Sequence, residues 1–134
     1  MNLLDEIEQR LRKYPQATYE RNDNSVTVEP FDSHGFEVSI QDHGQHNYTI
    51  CFNGWHENFD SDEEALNVFA CGLSSDCRLK EYRRGGFPYR WTLEGSEDGK
   101  WIEDSTTSLV IFPFWMKREI RILQNTLIKM NSEE

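Results

Sequence analysis

Apolar residues recur along this chain with two different periods, and the changes of period mark its elements. Leu4, Ile7, Leu11 and Tyr14 lie three and four residues apart, which puts one apolar stripe on a first helix. Pro15 is expected to stop that helix, because proline has no amide to donate to it. From residue 17 to 53 the period falls to two. Val26 and Val28 alternate with Thr27 and Glu29, and Phe36, Val38 and Ile40 with Glu37, Ser39 and Gln41. Tyr48, Ile50 and Phe52 alternate with Thr49 and Cys51. Such alternation predicts antiparallel strands with one buried face and one wet face. Residues 22–24, 32–35 and 42–44 are rich in Asn, Asp and Gly, which tolerate positive φ, and are expected to be turns.

A second helix is predicted from Ser61. Ser61-Asp62-Glu63-Glu64 fits a capping box, and its acids suit the positive end of the helix dipole. Leu66, Phe69, Ala70 and Leu73 form the inner face, and Gly72 stands where a C-cap is expected. Residues 79–84 and 89–94 read as a hairpin around Arg84-Gly85-Gly86-Phe87-Pro88. Residues 89–94 and 101–103 form another around Ser96-Glu97-Asp98-Gly99. Ser108–Phe114, SLVIFPF, is continuously apolar, which predicts a central segment buried on both faces or under a helix. Met116, Ile120, Leu123, Leu127 and Met130 share helical spacing, against the alternation of Ile120 and Ile122 with Glu119 and Arg121. The longer stripe predicts a last helix.

Strands and helices that follow one another without regular βαβ alternation predict an α+β fold. The expected form is a curved antiparallel sheet of five to seven strands with two or three helices packed on one face. At 134 residues, a single globular domain over 1–134 is expected, and 13% aromatic content supplies its core.

Charge adds what the hydrophobic pattern does not. The net −10 is local, because residues 22–77 hold eleven Asp and Glu and no Lys or Arg. A basic stretch from Arg78 to Arg90 follows directly. This predicts a dipolar surface with one face that repels anions and one edge able to hold them. The acidic balance argues against nucleic-acid binding and against docking on anionic lipid. The amino-terminal MNLLDEIEQRLRKY lacks the basic start and apolar core of a signal peptide. The longest apolar run, Leu109 to Met116, falls well short of the roughly 20 residues of a membrane span. A cytoplasmic protein with no membrane association is expected. Cys51, Cys71 and Cys77 are an odd count and are expected to be reduced, although Cys71 and Cys77 could approach each other across a helix end.

No catalytic or cofactor motif emerges. His34, His43, His46 and His56 crowd into one stretch, but without H-E-x-x-H or C-x-x-C spacing no metal site is expected. Cys77, beside Arg78, is the only candidate reactive thiol, and a small buried filler is the better reading. Asp60, Asp62, Glu63 and Glu64 lack the EF-hand pattern. They are explained by helix capping, or as partner-binding residues on the acidic face.

Arg83, Arg84, Arg90 and Trp101 combine directional donors with large area, as binding hot spots do. Trp91 and Trp101 lie on adjacent expected strands, which suggests neighbouring indoles. Trp91 is assigned to the core with Leu93, and Trp101 to the wet face with Glu103. Gly54–Phe59 is expected to be a linking loop, with Trp55 and His56 as further ligand-binding candidates.

Two functions follow as expectations. The first is a non-enzymatic, cytosolic interaction module that binds a basic protein through its acidic face, immunity-like or inhibitor-like in form. The second is a small-anion binding or catalytic domain, with an Arg- and Trp-lined concave sheet. No cofactor is expected in either.

Overall fold

The computed structural model describes residues 2–128, which form an α+β fold of two helices and two antiparallel sheets. Helix α1 (Leu3–Leu11) is capped by Asn2, which accepts the Asp5 amide, and its buried Leu3, Leu4, Ile7 and Leu11 carry out the predicted stripe. The helix ends before Tyr14 and Pro15, so proline bounds the following turn rather than the helix. The first sheet is a meander of β1 (Tyr19–Asn22), β2 (Ser25–Val28), β3 (Val38–Asp42), β4 (Tyr48–Phe52) and β5 (Trp55–Phe59), in that order. Its alternation is as expected: Val26, Val28, Val38, Ile40, Ile50 and Phe52 are buried. Helix α2 (Asp62–Leu73) packs on β3 and β4, and α1 packs on β2 and α2. The Ser61 side chain accepts the Glu64 amide, which gives the serine half of the predicted capping box.

The second sheet holds β6 (Cys77–Arg84), β7 (Phe87–Glu97), β8 (Lys100–Ser108) and β9 (Arg118–Leu123), in the order β8-β7-β6-β9. Leu79, Trp91, Leu93, Leu123 and Leu127 join the side chains of the first sheet and both helices in one buried cluster. The expected single curved sheet is thus split in two. The break falls at α2, whose length carries the chain away from the β5 edge before strand pairing resumes.

Two close approaches set the packing. Gly72 lies inside α2, not at its end, and Ser74 is the C-cap. A Cβ at Gly72 would sit 2.4 Å from the Phe52 ring, so glycine is needed here to let the helix approach the sheet. Phe52 in turn stacks on Trp55 at 4.7 Å. The second approach is a clip made by buried Asn125. Its Oδ1 accepts the Phe36 amide, and its Nδ2 donates to the carbonyls of Phe36 and Gly72. Leu127 and Ile128 donate to the Leu73 carbonyl beside it. These bonds tie the chain after β9 to the entry of β3 and to the end of α2.

Three further expectations are corrected. The predicted last helix is strand β9 over Arg118–Leu123, followed by the Asn125 clip; Met130 lies outside the described residues. Pairing with β6, from Leu79 opposite Leu123 to Arg84 opposite Arg118, satisfies one side of a backbone that a helix would have satisfied internally. Ser108–Phe114 is not a central strand. Ser108 ends β8 and the rest crosses to β9 as an exposed segment, with Val110 92% and Ile111 86% exposed. Phe112 alone turns back, stacking on Tyr89 at 4.2 Å. Finally, Cys71 and Cys77 are disulfide-bonded with Cα atoms 5.6 Å apart, against the expectation of reduced thiols. The turn from α2 into β6 brings them within the reach of a disulfide. Cys51 is free, and burial raises its thiol pKa, which disfavours the thiolate.

Candidate functional site

The acidic residues gather where β5 runs into α2. Asp60, Glu63 and Glu64 are all exposed, as is Asp62 at the first turn of the helix. An open concavity of about 570 Å³ lies beside them, lined by Glu57, Asp60, Glu64, His43, Tyr48 and Asn58 among others, with no Lys or Arg. Glu57, expected in a linking loop, lies on β5 and therefore belongs with the acidic group. Trp55–Phe59 does not alternate, with His56, Glu57 and Asn58 all exposed, so no local strand signal marked it.

Asp62 is the organised member of the group. Its Oδ1 accepts from the Tyr48 hydroxyl at 2.7 Å and lies 3.0 Å from His46 Nδ1. The Tyr48 hydrogen bond, then the His46 contact, hold the Asp62 carboxyl below its usual range. Burial first, and Asp62 second, push the Tyr48 hydroxyl upward, so it remains a donor. Asp62 also raises the His46 pKa. Because His46 is raised, its bonus to the folded state is present at acid pH and fades as pH rises through its folded pKa. Because Asp62 is lowered, its contribution is present at neutral pH and fades as pH falls through its depressed pKa. The pairing is therefore strongest between the two. In an NMR titration His46 is expected to titrate above the ordinary histidine value, and to return toward it in Asp62→Asn. An unchanged His46 midpoint in that variant would contradict the contact.

Asp60, Glu63 and Glu64 have no ion-pair partner among the described residues. Arg21 instead serves Asp5 and Glu8, while Arg78 and Lys80 serve Glu94, and Arg83 serves Glu81. The group is an uncompensated anionic surface that can receive cationic side chains. Among the described residues, no three His, Cys, Asp or Glu side chains converge as metal ligands.

The expected Arg and Trp site is dispersed. Trp55 is 1% exposed and belongs to the core, its indole donating to Ser105 Oγ. His56 is exposed on the first sheet, and its amide donates to Thr107 Oγ1. Arg83 is held by Glu81 at 2.8 Å. Arg84 donates to the Met116 carbonyl and lies over the Tyr89 ring. Trp91 and Trp101 are not neighbours, because Trp91 pairs with Thr107 and Trp101 with Ser96, far apart along the ladder. Trp91 is buried with Leu93, as expected, and its indole donates to buried Glu81. Trp101 is half-exposed beneath the Arg78 guanidinium, 4.3 Å from the ring centroid.

A different cluster forms on the second sheet. Tyr82 stands between Arg90 and Arg118, whose guanidinium carbons lie 5.1 and 5.8 Å from its ring centroid. The sequence could not show this, because β9 supplies Arg118 and was expected to be helical. Comparison with protein-family models, curated proteins and solved structures finds no match to this chain. The described helices include none long and apolar enough to cross a membrane.

Proposed function

We propose that the chain is a non-enzymatic interaction module whose acidic concavity receives Lys or Arg side chains of a basic protein partner in the cytoplasm. The observation that carries this reading is the gathering of Glu57, Asp60, Glu63 and Glu64 at one edge, exposed and with no basic residue lining the concavity. An uncompensated patch of one sign speeds encounter with an oppositely charged partner and suppresses wrong ones. Masking the basic active surface of a toxin or nuclease, as an immunity protein or inhibitor would, is one concrete form of this role.

A second reading, a small anionic ligand, draws support from the Arg90–Tyr82–Arg118 cluster. Neither arginine has a carboxylate partner among the described residues, and a planar anion between them would meet donors and an aromatic face.

One experiment separates the two. Affinity capture from the native host is run with the wild type and with Asp60→Asn/Glu63→Gln/Glu64→Gln. A partner held at low salt, released as salt rises and lost from the triple variant is expected. Equal capture by both proteins, or capture indifferent to salt, sinks the acidic-face reading. No captured protein, together with a melting midpoint that rises in inorganic phosphate, favours the second reading instead.

A further inference from the structure

Strand β9 is an edge. Among the described residues it pairs with β6 on one side and with no strand on the other. Every residue from Arg118 to Ile122 is exposed, and Ile120 and Ile122 are each 45% exposed. Natural edges are usually blunted by charge, proline, a bulge or a covering element, since open amides and carbonyls invite another strand. The charges of β9, on Arg118, Glu119 and Arg121, are of both signs and so can pair rather than repel. β9 contains no proline, and its register against β6 runs without a shift from Arg118 to Leu123.

The sequence of this edge is complementary to itself. We propose that a second copy of the chain adds its β9 antiparallel to this one, centred on Ile120, so that two four-stranded sheets become one continuous sheet. Three physical conditions select that register. Only residues whose amide and carbonyl point outward can bond across the new seam, so a strand pairing with itself must be centred on a residue and not between two. Centring on Glu119 would oppose that glutamate to its own copy, and centring on Arg121 would oppose two arginines; like charges directly opposite are destabilising. Centring on Ile120 sets Glu119 against the second copy's Arg121, twice by symmetry, and Ile120 against its own copy on the other face.

The same register continues an alternation already present within one chain. Across β6 and β9, Arg83 stands opposite Glu119, and Glu81 opposite Arg121. Adding the second copy gives the row Arg83, Glu119, Arg121, Glu81 from one chain into the next. Among the described residues neither Glu119 nor Arg121 has an ion-pair partner, so both are free to serve the seam. Pairing of one short strand falls below the roughly 800 Å² per partner of a stable interface. The exposed apolar segment leading into β9 supplies further area, with Phe114 and Trp115 68% and 73% exposed. This inference is independent of the acidic concavity, which shares no residue with the edge.

The test is the mass in solution by light scattering, for the whole chain and two charge reversals. Wild type is expected to be a dimer at about 100 µM, a concentration high enough to populate a weak interface of this size. Glu119→Arg alone and Arg121→Glu alone each place like charges opposite twice, and each should weaken self-association by roughly tenfold or more. An equimolar mixture of the two variants restores both opposite pairs with each chain unchanged, and should return the dimer. Circular dichroism confirms that each variant is folded. A monomeric wild type, which would leave the edge to a different protein, overturns the proposal. So does a single variant that dimerises like wild type, or a mixture that stays monomeric.

Discussion

Replacing Trp91 by alanine is expected to cost about 3–5 kcal/mol in denaturant unfolding, the range for removing a large buried aromatic. Three effects combine there. The indole fills the core between the sheets, and Gly54 is packed so closely on it that a Cβ would lie 2.3 Å from the ring. Its N–H donates to Glu81 Oε2 at 2.9 Å, and Glu81 is itself buried. Removing the indole leaves that carboxylate with Arg83 as its remaining side-chain partner. A buried carboxylate that loses a hydrogen bond adds its desolvation cost to that of the cavity. Trp101→Ala is the contrast. Its ring is half-exposed, and its main defined contact is with Arg78, so a loss of about 1 kcal/mol or less is expected. Equal large losses for the two variants would contradict the difference in burial.

The second large effect is expected at Asn125. In Asn125→Ala the Phe36 amide and the carbonyls of Phe36 and Gly72 lose their side-chain partner together. Each orphaned buried backbone group costs about 1–3 kcal/mol, and relaxation or entering water recovers part of that, so a net loss near 3 kcal/mol is expected. Asn125→Leu, which keeps the bulk and offers no bonds, separates packing from hydrogen bonding. Thermal unfolding of both variants checks this: if leucine is tolerated as well as asparagine, the clip is a packing contact and not a hydrogen-bonded one. The loss should be global, since the clip joins the segment after β9 to both β3 and α2.

Much of the first sheet and both helices could be read from the chain alone. Alternation of Val26, Val28, Val38, Ile40, Ile50 and Phe52 is a local signal, because side-chain direction in a strand depends only on position. The Ser61 cap is likewise local, made between residues three apart. So were the collection of the net negative charge in residues 22–77 and the burial of Trp91. What failed was decided over long distances. Residues 116–130 carry a helical stripe stronger than their strand alternation, yet β6 offered an open edge in register, and pairing there outweighed local periodicity. Trp55, a ligand-binding candidate by sequence, is buried in the core, while Trp101 stays half-exposed on the side expected for it; strand register, not residue type, sets which face a side chain occupies. The apolar run at 109–116 looked like core by composition, but it is a crossing between the two edges of a sheet, largely exposed among the described residues. The sequence by itself determined which residues alternate, where helices begin and where charge collects, since those depend on neighbours along the chain. Only the tertiary structure decided that Glu57 joins the acidic group, that Arg118 meets Tyr82, and that β9 is an open edge. Each of those depends on which strands lie side by side, and that is set by the whole core rather than by any segment of it.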